Sequence, residues 1–595
     1  TRLALRLGDR LRAAGHPAVL LPAGTAPKAL VPLAATTTRC LVVLDDAHTR
    51  PDTVAAAVRA VATGGSAARI LLLARSSGDW LDRLRDDPDD RIADVLDRAG
   101  ADRLEPPATV PGDFATARAA LARRLGLDAP PGGAPPPATT LIELQAAALA
   151  DLVGGPAGAS PWARLAEVER SRWVRAATGF GLPRLTGREA DELMAAVSLF
   201  GADTDATAEA LLASLRAFNG APVADRDAGL ALARTMLPGP RPLNPLAPAP
   251  LADEIVARLL RRGYRLADLA GVIGPDQARA ALVGLGRGLA ANPDLGGPVS
   301  DLLATAPARF MPAAMTAVAV VPDPRPLAAA MIGSVPAVPL DALEPLVDAL
   351  PQRSDVLAPF AAELTARALA ARRAAGPDDA GTARLARLLA VRLAALGDHT
   401  RAAEAVTAAR SAVAWLKAAG SDEAELAEAY AALALAHDLG REGDPGEAEA
   451  AASAGARAIG LLRPLTGERA EGALVTALVN QVHRRHERAL AEEAYAVAVR
   501  LHVARPTRFR SLLADAADNL AVLAGDPQVG REALRLRREL AAARPDAYRS
   551  QLAVTLFNIG GVLRAAGAEA DGRALREESA AIAAELLRER GGGTG

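Results

Sequence analysis

This 595-residue sequence has few aromatic residues, a single cysteine and only two lysines. Aromatic residues make up 3% of the chain although half of it is hydrophobic, so its cores must be built from Ala, Leu and Val. Closely packed helices suit that mixture, whereas sandwiches and barrels favour aromatic and β-branched residues. The lone Cys40 excludes a disulfide framework within the chain and any cysteine-rich zinc module.

An excess of one charge is also missing, as are long apolar runs. The 68 basic and 70 acidic residues give a net charge of −2, which disfavours general nucleic-acid binding because no positive field would hold a phosphate backbone. The longest apolar stretches fall far short of the ~20 residues that span a bilayer. The first residues have the pattern of an amphipathic helix rather than a signal peptide. We therefore expect a cytoplasmic protein without membrane contact.

The chain length predicts about three to five folding units, and two proline-rich stretches, 128–138 and 237–250, interrupt the helical patterns. Before the first stretch, helices alternate with short apolar strands at Ala18–Leu21, Cys40–Leu44 and Ile70–Leu73. Unbroken apolar strands between helices indicate a parallel sheet that is covered on both faces. After residue 139 the pattern predicts helices and loops alone.

The final third of the sequence repeats itself. Residues 506–511 return as 545–550, and Asn519 returns as Asn558, both after 39 residues. A period of 39–43 residues with two helices per unit is typical of a solenoid, in which stacked neighbours cover one another's apolar stripes. The Leu-Gly helix ends, small residues and interrepeat prolines resemble tetratricopeptide repeats, with five helical pairs in 382–590.

The predicted fold class is therefore multidomain and mainly α. An incomplete α/β domain occupies 1–128, and a helical or winged-helix-like linker occupies 139–236. A helical region with room for degenerate repeats follows at 251–380. A tetratricopeptide-like solenoid occupies 381–590.

The segment Leu41-Val-Val-Leu-Asp45-Asp46-Ala-His48 is the best candidate for chemistry. A buried parallel strand delivers its last carboxylate to the carboxyl edge of the sheet, where ligands bind in open α/β folds. The segment resembles the Walker B strand of P-loop NTPases. The alternative interpretation is a buried strand that ends in a helix cap formed by Asp46.

Two further segments extend this resemblance to STAND NTPases, the signalling branch of the P-loop class. Residues 69–77 resemble the sensor 1 strand, which places Arg75 near a γ-phosphate. The opening Thr1-Arg-Leu-Ala resembles the end of the phosphate loop GxxxxGK[ST], with Thr1 as its last residue. Neither Lys28 nor Lys417 has the flanking glycines of that loop. We therefore expect a chain truncated within Walker A that binds nucleotide poorly and lacks ATPase activity.

The resemblance to actinobacterial STAND proteins with tetratricopeptide repeats implies a nucleotide-dependent signalling switch. ATP or ADP and Mg²⁺ are the implied cofactors of the intact protein. Asp45 would hold Mg²⁺ through water, Asp46 would orient or deprotonate the attacking water, and Arg75 would contact the phosphate. The solenoid would bind a partner protein, and the ATP state would form homo-oligomers.

Two other functions remain open from the residues. The chain could be a non-catalytic scaffold in which only the solenoid acts and the α/β segment is a degenerate remnant. An ATP-dependent transcription activator would need a C-terminal helix-turn-helix. The last helical pattern ends at Arg588-Glu-Arg590 before a glycine-rich stretch, which disfavours that function.

Overall fold

A computed structural model describes residues 2–22, 25–62, 66–74, 79–85, 87, 89–100, 112–127, 140–154, 160–182, 184–350, 354, 356–376, 379–440, 444–543 and 545–591. They form two compact units, Thr1–Ala101 with Thr365–Gly595, and Asp102–Leu364. Helices dominate both units and a three-stranded parallel sheet lies in the first, which confirms the predicted fold class. The described part of the chain has no helix long and apolar enough to cross a membrane. The domain boundaries given above stay predictions.

The N-terminal part of the first unit has the predicted alternation of helices and strands. Its elements are α1 (Arg2–Ala13), β1 (Ala18–Leu20), β2 (Cys40–Leu44), α2 (Pro51–Ala62), β3 (Ala68–Leu72), α3 (Asp79–Arg85) and α4 (Asp90–Arg98), with 3-10 turns at Pro27–Ala35 and Ala47–Thr49. The strand order is β1-β2-β3, and both pairings are parallel. The register pairs Ala18 with Leu41 and Cys40 with Ala68.

The middle strand β2 is the centre of this α/β layer. Its last three residues, Val42–Leu44, are almost completely buried on both faces of the sheet. Val42 and Leu44 belong to an apolar cluster with residues of α2 and α4, including Val54 and Ile92. Every position of β2 is apolar because both faces of this strand are shielded from solvent.

The C-terminal part of the first unit is an array of five helical pairs, as the repeat predicts. The pairs are α18 (Ala380–Leu396) with α19 (Ala402–Ala419), α20 (Glu423–Leu439) with α21 (Pro445–Leu462), α22 (Glu468–Arg485) with α23 (Arg488–Ala504), α24 (Pro506–Ala524) with α25 (Pro527–Ala543), and α26 (Pro545–Ala565) with α27 (Glu569–Gly591); a 3-10 turn at His399–Arg401 precedes α19. The first helix of each pair contacts the first helix of the next pair. This stacking makes the array a solenoid.

The 39-residue period is visible in the core of the array. Leu474, Leu513 and Leu552 recur at that interval on three successive first helices, and all three are buried in one apolar cluster. A repeated leucine therefore fills the same place in three successive layers of the stack, because each pair covers the apolar stripe of its neighbour.

The second unit is helical throughout its described residues, apart from one isolated β-bridge between Ala202 and Leu243. The assignment of 139–236 as a helical or winged-helix-like linker stays a prediction. The helices are α5 (Asp113–Leu125), α6 (Leu141–Val153), α7 (Pro161–Gly179), α8 (Gly187–Phe200), α9 (Asp205–Ser214), α10 (Val223–Met236), α11 (Ala249–Arg261), α12 (Pro275–Ala291), α13 (Gly296–Thr305), α14 (Pro307–Val318), α15 (Arg325–Ser334), α16 (Leu340–Asp348) and α17 (Ala358–Ala375), which runs into the first unit; 3-10 turns lie at Leu266–Val272, Pro293–Leu295 and Val335–Ala337.

Two neighbouring carboxylates of α8, Asp191 and Glu192, are buried in the second unit. Arg262 donates to Asp191 over 2.9 Å, and the Tyr264 hydroxyl donates to Glu192 over 2.9 Å. Burial raises the pKa of Asp191, and the arginines around it oppose that effect. These contacts join α8 to the segment that follows α11, so we assign the acidic pair a structural role.

Candidate functional site

The carboxyl edge of the sheet brings together the ends of β2 and β3. Leu44 is paired with Leu72 in the parallel ladder, and the Leu73 amide donates to the Leu44 carbonyl over 2.9 Å. Beyond the strands, the Ala47 amide donates to the Leu73 carbonyl over 2.8 Å. Asp45 and Ala74, which follow the two strands, therefore lie at the same edge, as the parallel sheet requires.

Asp45 is half-buried at this edge, and its neighbours fix its backbone. Its Oδ1 accepts the Asp46 amide over 3.1 Å, and its carbonyl oxygen accepts Arg50 Nη2 over 2.5 Å. The other end of the same guanidinium, Nη1, donates to the Pro22 carbonyl over 2.8 Å. Arg50 thus joins the segment after β1 to the segment after β2.

Asp46 has a left-handed backbone, with φ +48° and ψ +41°. Aspartate tolerates this conformation better than most residues. The sharp turn directs the following residues inward, so that Ala47 and His48 are buried while Asp46 stays exposed. Asp46 occupies the N-cap position of the 3-10 turn Ala47–Thr49, where the alternative interpretation places it, but without a side-chain capping bond.

Two of the four predicted site residues can be located. Asp45 and Asp46 lie together at the carboxyl edge, whereas Thr1 and Arg75 fall outside the described residues. Within the described ranges, no group of three or more His, Cys, Asp or Glu side chains is arranged to hold a metal ion. Magnesium sites that also use substrate phosphates need only one or two carboxylates, so the chemistry of Asp45 and Asp46 fits such an ion. Their roles stay predictions.

A second candidate site lies on the solenoid, on the exposed side of the first helices. We call it the inner stripe. It consists of exposed or half-exposed residues on three successive first helices, and positions 476, 515 and 554, positions 480, 519 and 558, and positions 483 and 522 recur at the 39-residue period. The residues are Thr476, Asn480 and His483 on α22; Asp515, Asn519 and Val522 on α24; Gln551, Val554 and Asn558 on α26. On each helix these positions are three or four residues apart and so share one face.

The asparagines of the inner stripe tie neighbouring first helices together. Asn519 Nδ2 donates to the Val479 carbonyl over 3.4 Å, and Asn558 Nδ2 donates to Asp518 Oδ2 over 3.3 Å. Each acceptor lies 40 residues before its donor, so equivalent positions are linked in successive pairs, through a backbone carbonyl in one case and a carboxylate in the other. The asparagine repeat that the sequence shows therefore has a structural role at the edge of the stripe.

Asp518 lies just beneath the stripe and is 9% exposed. Its Oδ2 accepts Asn558 Nδ2 and, over 3.4 Å, Thr555 Oγ1, while its Oδ1 is buried without a hydrogen-bond partner. Arg537 lies near but donates to Asp515 and Gln551 instead. Burial raises the pKa of Asp518.

Sequence reasoning missed Arg50 and most of the inner stripe. Arg50 has no motif around it, and its link to Pro22 spans 28 residues. The sequence does contain a sign of the stripe, because the asparagine repeat extends to a third position. Asn480 precedes Asn519 by the same 39 residues that separate Asn519 from Asn558.

No protein-family model and no curated protein matches this chain. Among solved structures, it is similar to BtubC from P. vanneervenii, with 19% identity and a TM-score of 0.28 over 41% of this chain and 92% of that one. It is also similar to a Signal Transduction ATPase with Numerous Domains (STAND) protein with a tetratricopeptide repeat sensor from Pyrococcus horikoshii. There the identity is 10% and the TM-score 0.27, over 95% of this chain and 83% of that one. At such low values the function must be argued from the residues of this chain.

Proposed function

We propose that this chain is a protein-binding scaffold in which the inner stripe holds a polypeptide segment of a partner. The observation that carries this proposal is the contact of successive first helices, which aligns the stripe residues into one face. The α/β layer would serve the scaffold as a nucleotide-dependent switch of the STAND kind.

The chemistry of the inner stripe favours a polypeptide. The stripe combines amides, a hydroxyl, the Asp515 carboxylate and the His483 imidazole with the apolar Val522 and Val554, which are 47% and 58% exposed. Amides and hydroxyls pair with the main-chain groups of a peptide, and exposed apolar side chains give contact area. The stripe has no arginine or lysine, so it does not suit a nucleic acid.

A selection from a random peptide library against the whole chain tests this proposal. We expect selected peptides to bind at least about 10-fold more weakly to Val522→Glu, because a charge would replace a central apolar contact. The matched control is Ala456→Glu, an equally acidic change at an exposed position of the second helix α21. Failure to recover any peptide that distinguishes the two variants would overturn the proposal.

The switch part of the proposal assigns roles to the carboxyl edge of the sheet. Asp45 would hold Mg²⁺ through water, and Asp46, exposed beside it, would orient a water molecule. When bound, Mg²⁺ neutralises phosphate charge. The Asp46 amide donates to Asp45 Oδ1 and Arg50 donates to the Asp45 carbonyl oxygen, and these two bonds keep the first carboxylate in place. Thr1 and Arg75 would contact the phosphates.

Calorimetric titration with MgATP tests the switch separately from the scaffold. The chain is expected to bind nucleotide poorly, so we expect weak but saturable binding of MgATP. Asp45→Ala should lower the affinity for MgATP by about 10-fold. Asp9→Ala is the control, since Asp9 is exposed on α1 and pairs with Arg12. If wild type gives no saturable signal, the switch is rejected and the scaffold proposal stands alone.

A further inference from the structure

Within the first unit, helix α4 of the α/β layer contacts helix α24 of the solenoid. Thr507 Oγ1, at the start of α24, donates a hydrogen bond to Asp94 Oδ1 on α4 over 2.5 Å. The two residues are 413 positions apart in the sequence. Asp94 is exposed apart from this contact, and Thr507 is half-buried.

The start of α24 is electrostatically unlike that of its neighbours. The first turn of α20 has Glu423 and Glu425, and that of α22 has Glu468 and Glu471. The first turn of α24 has no acidic residue. Acidic side chains stabilise the positive N-terminal end of a helix, so α24 lacks a feature that the two preceding first helices, α20 and α22, have.

The repeat register shows which residue replaces the missing acid. Thr507 lies 39 residues after Glu468 and 39 residues before Asp546. The sequences of the two neighbouring repeats thus have an acidic residue at the register position where α24 has a threonine.

Nearby basic residues make the lack of an acid more costly. Arg505 and Arg508 flank Thr507 at the positive end of α24, where cations are unfavourable. Both arginines form ion pairs with Glu468 of the preceding first helix. The distance from Arg505 Nε to Glu468 Oε1 is 2.9 Å, and that from Arg508 Nη1 to Glu468 Oε2 is 3.6 Å. Asp94 is therefore a second carboxylate that reaches this end of α24 from outside it.

On the other side of the contact, α4 is firmly held in the α/β layer. Ile92 and Leu96 lie in the apolar cluster beneath the sheet. The side chain of Asp89 accepts the Arg91 amide and so caps the helix, and Arg59 of α2 donates to Asp89 over 3.1 Å. Movement of Asp94 away from Thr507 would therefore require α4 to move together with the elements that hold it.

We propose that the Asp94–Thr507 contact is a releasable latch that fastens the α/β layer to the solenoid, with Asp94 acting as the N-terminal acid that α24 lacks. A negative charge introduced at Thr507 would give α24 its own acid and repel Asp94. The two parts would then separate while the helical pairs stay folded. This inference does not depend on partner or nucleotide binding.

Amide hydrogen exchange of the whole chain tests the latch. In Thr507→Glu we expect the amides of α4 to exchange about 10-fold faster than in wild type, while those of α20–α23 keep their rates. The control is Thr407→Glu, the same change at an exposed threonine of the second helix α19, which should leave α4 unchanged. Equal α4 exchange in Thr507→Glu and wild type would overturn the proposal.

A rescue experiment separates a latch from general damage. In Asp94→Asn with Thr507→Glu, the new amide can donate to the new carboxylate, so exchange in α4 should return to within about 2-fold of wild type. Failure of this recovery would count against the latch. A bismaleimide cross-link between Asp94→Cys and Thr507→Cys, in a Cys40→Ser background, gives an answer even if the glutamate variant unfolds. Absence of the intramolecular cross-link would overturn the proposal.

Discussion

Gly560 of α26 and Gly572 of α27 pack backbone against backbone. A Cβ atom placed on Gly572 would lie 2.5 Å from the Gly560 carbonyl oxygen, and one on Gly560 would lie 2.8 Å from the Gly572 carbonyl oxygen. Neither oxygen can move without shifting its helix. The last pair of the solenoid is therefore closed by an approach that only glycine permits at these two positions.

This contact predicts that Gly572→Ala destabilises the last helical pair. The added methyl group would push α27 away from α26, at a cost of about 1–3 kcal/mol. Urea titration with amide exchange in α26 and α27 would measure the loss. Gly460→Ala is the control, because Gly460 lies within α21 with open space around its Cα; it should stabilise its helix by about 1 kcal/mol. Equal stability of the two variants would contradict the prediction.

The buried carboxyl of Asp518 predicts a pH dependence of stability. Burial raises its pKa, and Asn558, Arg537 and Thr555 only partly offset the lost hydration. An acid whose pKa is raised on folding contributes stability that is fully present below its unfolded pKa of about 3.9 and is lost as the pH rises through the folded value. At neutral pH the ionised Asp518 should therefore lower the free energy of unfolding of the native protein.

Asp518→Asn should remove this penalty. We expect the variant to be more stable than wild type at pH 7 by about 1 kcal/mol, because no buried charge remains, and to lose this advantage near pH 4. Thermal unfolding between pH 4 and 8 would measure the difference. Glu577→Gln, at an exposed position of α27, should behave as wild type across the range. An advantage of Asp518→Asn that does not vary with pH would refute the explanation.

Arg50 predicts a coupling between the segments that follow β1 and β2. Arg50→Ala removes both bonds, to Pro22 and Asp45, and should cost about 1–3 kcal/mol because the two carbonyls lose a charged donor. Amide exchange should rise in residues 20–22 and 45–47 together. Arg50→Lys, which has no planar fork to reach both carbonyls, should give an intermediate effect. An increase confined to one segment would exclude the coupling.

The sequence by itself determined the elements and their local packing. The unbroken apolar run of β2 predicted a strand covered on both faces, and Val42 and Leu44 are buried as that requires. The 39-residue repeat predicted stacked helical pairs, and Leu474, Leu513 and Leu552 fill equivalent core places. Both features were readable because burial leaves a local pattern in the sequence, which is an unbroken apolar run where both faces of a strand are covered and a fixed repeat length in a stack.

Only the tertiary structure decided which distant polar groups meet. Asp94 and Thr507 are 413 residues apart, and neither stands out in its own helix until the first turns of the array are compared. The link from Arg50 to Pro22 and the burial of Asp518 likewise depend on how elements stack. A single polar contact between separate elements leaves no period in the sequence, because its partners are set by the positions of whole helices and not by local burial.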